Sequence, residues 1–175
     1  MQALDITPQV RQGENVIAVR LTVTKATDGL LDLVKLVGNF AVERVDGTES
    51  IGAPRATLQP SSWVEQGYPY YSGRGLYRRQ FELPDAFAGQ RVFLEPEMRD
   101  DTLEVLVNGQ RAGVRLWEPY RVEITDHLEP GDNTLELRVA NTPINLLEAS
   151  PRPSGLAGPP RLVPYRPVMF AVPGE

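Results

Sequence analysis

Proline and glycine divide this chain so finely that only short regular elements fit between them. The 175 residues include 16 prolines and 15 glycines, spread along the whole sequence. Proline removes a backbone hydrogen-bond donor, and glycine adds conformational freedom that weakens helices and strands. No window of 11 or more residues keeps a helical period without meeting such a breaker. The chain is therefore predicted to consist of short strands and turns.

Residues that alternate between apolar and polar occupy the stretches between the breakers. Such runs cover residues 15–23 (NVIAVRLTV), 76–83 (LYRRQFEL), 91–95 (RVFLE), 102–107 (TLEVLV) and 134–139 (TLELRV). A period of two indicates half-buried strands. Asn108-Gly109 separates the fourth run from residues 110–116 (QRAGVRL), and Asn-Gly is the strongest short-range hairpin signal. Short strands with turns about every 8–12 residues predict an all-β, antiparallel sandwich or barrel.

Composition and charge exclude several classes of protein. Eighteen basic and 23 acidic side chains give a net charge of −5, and no stripe of Lys and Arg suggests a nucleic-acid partner. No apolar run approaches the roughly 20 residues that span a bilayer, and no signal peptide follows Met1. The absence of cysteine removes disulfides and thiolate chemistry. We expect a soluble protein without a membrane partner, and the sequence leaves its compartment open.

An internal repeat suggests how the chain is organised. Residues 5–21 (DITPQVRQGENVIAVRL) align without a gap with residues 123–139 (EITDHLEPGDNTLELRV), 118 positions later. Five pairs are identical: Ile6/Ile124, Thr7/Thr125, Gly13/Gly131, Asn15/Asn133 and Arg20/Arg138. The shared unit is a strand end, a polar turn and a long outgoing strand. An offset of 118 residues is close to the length of one sandwich domain.

The repeat indicates that the chain contains parts of two sandwich domains. Residues 1–28 are interpreted as the terminal strands of a preceding sandwich, and residues 29–175 as one complete sandwich with a Pro/Gly-rich strap at its end. The alternative is that both copies are ordinary hairpins of one domain. A strand without its parent sheet invites pairing with another chain, so a dimer through the N-terminal strand is a further hypothesis. Residues 150–160 (SPRPSGLAGPP) are predicted to loop, and residues 161–172 to add an edge strand.

Residues 72–141 resemble the sugar-binding-type jelly-roll domains of glycoside hydrolases. The matching elements are the strand that carries Tyr77 and Phe81, the VNG turn at residues 107–109, the segment WEPYRVEIT from Trp117, and the LEPGDN turn before the closing strand. Enzymes of family 2 and the α-L-rhamnosidases of family 106 share this pattern. Two later stretches, residues 145–149 (NLLEA) and 154–162 (SGLAGPPRL), resemble the C-terminal module of the rhamnosidases. The resemblance implies a galactose-binding-like jelly roll that flanks a catalytic barrel and has no active site of its own.

Carboxylates are numerous but poorly arranged for catalysis. Hydrolysis of a glycosidic bond needs two carboxyl groups about 5–9.5 Å apart on facing sides of a sugar. Candidates lie close together in the sequence: Glu95, Glu97, Asp100, Asp101 and Glu104. Glu95 and Glu97 would share a face only if a strand continued through Pro96. We therefore expect no catalysis within the chain.

Metal binding and histidine chemistry rest on few residues. Hard cations prefer carboxylate and carbonyl oxygens in irregular loops, so Glu97, Asp100 and Asp101 predict a structural calcium site. The chain has one histidine, His127, at the repeat position that Gln9 occupies in the first copy. A solvent-exposed turn residue is expected there rather than a general base or a zinc ligand.

Two aromatic clusters are candidates for sugar recognition, which needs flat apolar rings beside polar groups. The first cluster comprises Trp63, Tyr68, Tyr70, Tyr71 and Arg74, and the second comprises Trp117, Tyr120 and Arg121. The alternative for both is core packing or contact with a neighbouring domain. Asn141 and Asn145 are expected to satisfy backbone groups in turns.

Two functions from different classes follow from these features. The first is a non-catalytic accessory module that supports a neighbouring catalytic domain of a glycoside hydrolase, resembling an α-L-rhamnosidase. The second is an autonomous carbohydrate-binding module that recognises sugar through its aromatic loop. Glycosidase activity from carboxylates within the chain is a third, weaker hypothesis.

Overall fold

The computed structural model describes residues 3–30 and 32–169. The chain divides into two compact units, Met1–Gly38 and Asn39–Glu175. No helix among the described residues is both long and apolar enough to cross a membrane.

The second unit is built almost entirely from antiparallel strands. Within its described residues it has nine strands and one short α-helix: β1 (Ala41–Val45), β2 (Thr48–Gly52), β3 (Arg74–Glu82), β4 (Arg91–Glu95), β5 (Thr102–Val107), β6 (Gln110–Arg115), β7 (Val122–Glu123), β8 (Asp132–Ala140), α1 (Ile144–Leu147) and β9 (Arg161–Tyr165). Three 3₁₀ helices, Val64–Gln66, Asp85–Phe87 and Thr125–His127, lie between them. Strands β1 and β2 form a separate hairpin.

Two sheets share one hydrophobic core, which confirms the predicted antiparallel sandwich. The larger sheet has the order β3-β8-β5-β6 and the smaller one β7-β4-β9. Alternate residues of β5 and β8 are buried, as are those of β4 in the other sheet. The core side chains from both sheets form one cluster: Val92, Leu94, Leu103, Val105, Val107, Val122, Leu135, Leu137 and Val139. Burial of these apolar side chains supplies the main driving force for the fold.

The strand predictions for the second unit are confirmed. The runs at 76–83 and 134–139 lie in β3 and β8, those at 91–95 and 102–107 coincide with β4 and β5, and the segment after Asn108-Gly109 forms β6. Asn108 and Gly109 have φ of 50° and 77°, the left-handed pair that a tight hairpin turn requires. The predicted edge strand is shorter than residues 161–172. It pairs with β4 alone and ends at Tyr165, and residues 170–172 lie outside the described part.

Two elements of the second unit were not predicted. The β1–β2 hairpin turns at Asp46-Gly47, another pair with positive φ, but its strands are mostly exposed and have no clear apolar alternation. The helix α1 is a single turn of four residues after Pro143. Neither element buries enough apolar surface to produce a periodic sequence signal.

The strand predicted at residues 15–23 of the first unit is wrong for this chain on its own. The described residues of the unit contain one short 3₁₀ helix, Thr7–Gln9, and no strand. The side chains of Val16, Ile17 and Val19 are 86%, 57% and 56% exposed. A strand is held by hydrogen bonds to a neighbouring strand, and the described residues provide none here. The origin of residues 1–28 therefore stays a hypothesis.

Candidate functional site

A cavity of about 820 Å³ opens in the second unit beside β3. Residues 55–60, β3, Pro159, Pro160 and Leu162 contribute to its walls. Its apolar lining includes Leu58, Leu76, Phe81, Leu137 and Leu162, and its aromatic lining includes Trp63, Tyr68, Tyr71 and Tyr77. Four of the five residues in the first predicted cluster therefore line one cavity.

Trp63 is the buried anchor of this region. Its indole is 2% exposed and donates a hydrogen bond from Nε1 to the Tyr77 hydroxyl at 2.6 Å. Gly75 and Gly155 leave room for the ring, because a Cβ on either glycine would overlap it. The backbone N–H of Trp63 also donates to the Ser154 carbonyl oxygen at 2.9 Å. The two faces of this ring are occupied by protein, so its part in the cavity is to support the wall.

Tyr68 and Tyr71 form the accessible aromatic part of the cavity. Their rings lie edge to face with centroids 6.3 Å apart, and Tyr71 meets Trp63 in the same way at 5.6 Å. The Tyr68 hydroxyl accepts the N–H of Arg55 at 3.0 Å, and the Tyr71 hydroxyl donates to the Arg74 carbonyl at 2.9 Å. The hydroxyls thus fix both rings, while Tyr71 keeps 40% of its surface exposed.

Arginine supplies the charge of this cavity. Arg55, Arg74 and Arg79 line it, and none of the three forms an ion pair among the described residues. Arg78 also lines it, but its guanidinium contacts Glu136 at 2.6 Å. Within the described part of the chain, no Asp or Glu lines the cavity. A locally positive cavity is notable in a chain with a net charge of −5.

Tyr70 lies apart from the rest of its predicted cluster. Its hydroxyl contacts the two carboxylate oxygens of Glu49 at 2.9 and 3.0 Å, and Glu49 also pairs with Arg44 across the β1–β2 hairpin. Burial, followed by the neighbouring carboxylate, raises the pKa of Tyr70. The hydrogen bond from Arg44 is the main cause that lowers the pKa of Glu49. Tyr70 therefore ties the loop to the hairpin.

The second predicted cluster is divided by the structure. Trp117 is 72% exposed and lines a more open cavity of about 440 Å³ together with Arg121. The guanidinium of Arg121 lies 4.0 Å from the Phe93 ring centroid and 4.3 Å from that of Tyr165. Tyr120 is buried, and its hydroxyl lies 2.5 Å from the Asp101 carbonyl oxygen. Only Trp117 therefore presents a free aromatic surface.

The predicted calcium ligands are not assembled. Asp101 is 4% exposed, and its Oδ2 accepts the N–H of Gly155 at 2.6 Å. Burial raises the pKa of Asp101 to about 6. Glu97 and Asp100 are exposed, and the described residues contain no group of three His, Cys, Asp or Glu that could hold a metal ion. Calcium binding stays a prediction without a geometric site.

Glu95 and His127 are partly buried in the fold. Strand β4 ends at Glu95, whose Oε1 lies 3.3 Å from Nε of Arg121, so Glu95 and Glu97 do not share a continuous strand. His127 ends a 3₁₀ helix and is half-buried, not fully exposed as expected.

Two asparagines satisfy backbone groups, as predicted. The Asn141 side chain accepts the N–H of Gly73 and donates to the carbonyl oxygen of Tyr71, both at 2.8 Å. The Asn145 side chain donates to the Arg152 carbonyl oxygen at 2.9 Å and accepts the Arg152 N–H at 3.2 Å.

Sequence reasoning missed Arg55 and Arg79 as cavity residues. The strand period does place Arg79 on the same face of β3 as Tyr77 and Phe81. Arg55 gave no comparable signal, since it lies in an irregular loop.

Comparison with known proteins connects the chain with carbohydrate-active enzymes. No family model matches the chain. A putative beta-glucuronidase of Formosa agariphila is 30% identical over 113 residues, which are 62% of this chain and 10% of that protein. The chain is similar to one part of a glycoside hydrolase. The resemblance stated from the sequence is thereby confirmed, and the chain spans a tenth of the length of this curated relative.

Two solved structures share the similarity. A rhamnosidase from Novosphingobium sp. PP1Y is 29% identical with a TM-score of 0.49, covering 83% of this chain and 16% of its own. A putative beta-galactosidase from Bacteroides fragilis is 23% identical with a TM-score of 0.49, covering 65% of this chain and 18% of its own.

Proposed function

We propose that the chain is a non-catalytic accessory module of a larger glycoside hydrolase. The observation that carries the proposal is the 30% identity with a segment that makes up only 10% of a putative beta-glucuronidase. The chemistry of the second unit supports it, because Glu95 is held by Arg121 and Asp101 by a backbone N–H. The rhamnosidase-like segments at residues 145–149 and 154–162 favour a parent enzyme of α-L-rhamnosidase type.

A carbohydrate-binding module is the second candidate, favoured by the cavity beside β3. Tyr68 and Tyr71 offer rings for the apolar face of a sugar, and three arginines that form no ion pair with the described residues offer charged donors. Because the described lining contains arginine and no carboxylate, the cavity suits a sugar that carries a carboxylate. We therefore expect uronic acids to bind in preference to neutral sugars.

Thermal unfolding with added sugars separates the two candidates. Galacturonic acid and galactose form a matched pair, because they differ only at the C6 carboxylate. A site with a Kd of about 1 mM gains roughly 2.3 kcal/mol at about 50 mM ligand, which raises Tm by several degrees. A rise with galacturonic acid that Arg74→Gln removes and Trp117→Ala retains supports sugar binding in this cavity.

Three further outcomes complete the sugar experiment. A rise that Trp117→Ala removes instead would locate binding in the second cavity. An equal rise with galactose would contradict the charge argument. No rise in Tm with rhamnose, glucose, galactose or galacturonic acid would contradict sugar binding and favour the accessory role.

A further inference from the structure

The two copies of the sequence repeat share the structure of their 3₁₀ helix and turn. The 3₁₀ helices Thr7–Gln9 and Thr125–His127 occupy equivalent positions 118 residues apart. The residues before them, Ile6 and Ile124, have φ of −109° and −122°, each with ψ of 5°. The similarity of the copies is therefore structural as well as compositional.

One asparagine organises the turn in each copy. The Asn15 side chain accepts the N–H of the residue four positions earlier at 2.9 Å, and donates to that residue's carbonyl at 2.7 Å and to the carbonyl two positions earlier at 2.9 Å. Asn133 makes the same three bonds at 2.8, 2.7 and 2.9 Å. Both turns contain an equivalent glycine with φ of 92° and 82°. The two turns therefore share their hydrogen bonds as well as their sequence.

In the second unit this turn leads into a central strand. Strand β8 lies between β3 and β5 and pairs with both. Its inner side chains Leu135, Leu137 and Val139 are 7%, 1% and 0% exposed. On its outer face, Arg138 contacts Glu104 of β5 at 3.3 Å. The turn is thus followed by a strand that is hydrogen-bonded along both edges.

The equivalent segment of the first unit has the same pattern without neighbours. Residues 14–22 correspond to β8, with Ile17, Val19 and Leu21 at the inner positions and Arg20 at the position of Arg138. The three apolar side chains are 57%, 56% and 51% exposed. This segment has the sequence of a strand with one apolar face, and its described surroundings contain no strand that could pair with it. Such a segment is an interaction surface.

We propose that residues 5–23 close a second β-sandwich of the same kind, with residues 14–22 as a central strand. The other strands of that sandwich come from a part of the same polypeptide that precedes these residues. The two strands that flank residues 14–22 are antiparallel to it, and one of them carries an acidic side chain opposite Arg20, as β5 does opposite Arg138. The chain thus contains the end of one sandwich and the whole of the next.

A second copy of this chain is a poorer partner for the segment. In the second unit the position between β3 and β5 is occupied by β8 over its whole length. Residues 14–22 of another copy would have to displace it. Two such segments that paired with each other would leave one edge of each strand without hydrogen bonds.

Hydrogen exchange of residues 16–22 tests the proposal. We expect rapid exchange in the chain alone and protection at least about 100-fold higher in the longer polypeptide that its reading frame encodes. Residues 134–140 serve as the internal reference, since they are protected in both. Unchanged rapid exchange in the longer polypeptide, or a reading frame with no preceding sandwich, would overturn the proposal. Protection that rises with chain concentration, together with dimer formation, would overturn it in favour of a second copy.

A matched pair of substitutions tests the orientation of the strand. Val19→Asp places a charge on the face that corresponds to Leu137, and we expect it to abolish the added protection in the longer polypeptide. Ala18 corresponds to Glu136 on the outer face of β8, so Ala18→Glu introduces the residue that β8 has there. We expect this variant to keep the added protection. Equal effects of the two substitutions would overturn the assignment.

Discussion

Asp101 places a carboxyl group inside the sandwich, where the charged form is poorly solvated. Its single backbone donor, the N–H of Gly155, does not offset the loss of water, so burial raises its pKa to about 6. The unfolded chain has a lower pKa for this group, near 3.9. Between roughly pH 4 and pH 6 the folded state therefore binds more protons than the unfolded state, and stability falls as the pH rises.

Asp101→Asn is expected to stabilise the protein above pH 7. The amide keeps an oxygen acceptor for Gly155 and removes the buried charge, so the free energy of unfolding should rise by about 1 kcal/mol at pH 7.5 and stay nearly unchanged at pH 4. Urea unfolding at the two pH values measures the effect. The exposed Asp100→Asn is the comparison variant: it removes a neighbouring carboxylate that also raises the pKa of Asp101, so it should stabilise the protein at pH 7.5 by less than Asp101→Asn and leave the value at pH 4 nearly unchanged. Destabilisation by Asp101→Asn of the same size at both pH values would contradict the argument.

Gly155 is a second residue whose role can be measured by itself. Its φ is 84°, and a Cβ there would overlap the Trp63 indole, so Gly155→Ala should cost about 3 kcal/mol of stability. Gly109→Ala is the matched control, because Gly109 has a similar φ of 77° but nothing within 4 Å of its Cβ position. Its cost should be about 1 kcal/mol, from backbone conformation alone. Denaturant midpoints of the two variants give the difference, and equal costs would show that Trp63 does not need this space.

At the scale of elements, burial separates two turns that are otherwise alike. Asn15 and Asn133 make the same three local hydrogen bonds, but Asn133 is 2% exposed and also accepts a bond from Asn108 at 2.9 Å. In the second unit the turn joins a 3₁₀ helix to a paired strand, whereas in the first unit it precedes exposed residues. Identical local geometry therefore contributes very differently to global stability.

The two asparagines give a prediction for the chain by itself. Asn133→Ala should destabilise the second unit by about 2 to 3 kcal/mol, because three backbone groups of the turn and the Asn108 amide lose their partner. Asn15→Ala should change the cooperative unfolding transition by less than about 0.5 kcal/mol. Chemical denaturation followed by tryptophan fluorescence reports on the second unit, which holds both tryptophans. A similar loss in both variants would mean that the first turn already stabilises a folded sheet.

At the scale of the whole molecule, the sequence predicts those parts that bury an alternating face. Strands β4, β5 and β8 pack their apolar residues into one core, so their two-residue period is visible in the sequence. The exposed β1–β2 hairpin lacks that period and was missed. Residues 15–23 have the same period but no neighbouring strand among the described residues. An alternating sequence therefore specifies an apolar face, whereas strand formation also requires a partner strand.

The cavity beside β3 was only partly predictable. The aromatic loop that contains Trp63 and Tyr71 was identified from composition, yet the roles of its members differ. Trp63 became a buried support, while Tyr71 kept an exposed ring. Arg79 lies on the face of β3 that the strand period assigns to it, whereas Arg55 lines the cavity from an irregular loop for which the sequence contains no period.

A turnover assay tests the central claim of a non-catalytic module most directly. The purified chain is incubated with chromogenic α-L-rhamnoside, β-D-glucuronide and β-D-galactoside, and release of the chromophore is followed. We predict no release above buffer with any of the three. Saturable release that Glu95→Gln or Asp101→Asn abolishes would contradict the account, because it would assign a catalytic carboxylate to this sandwich.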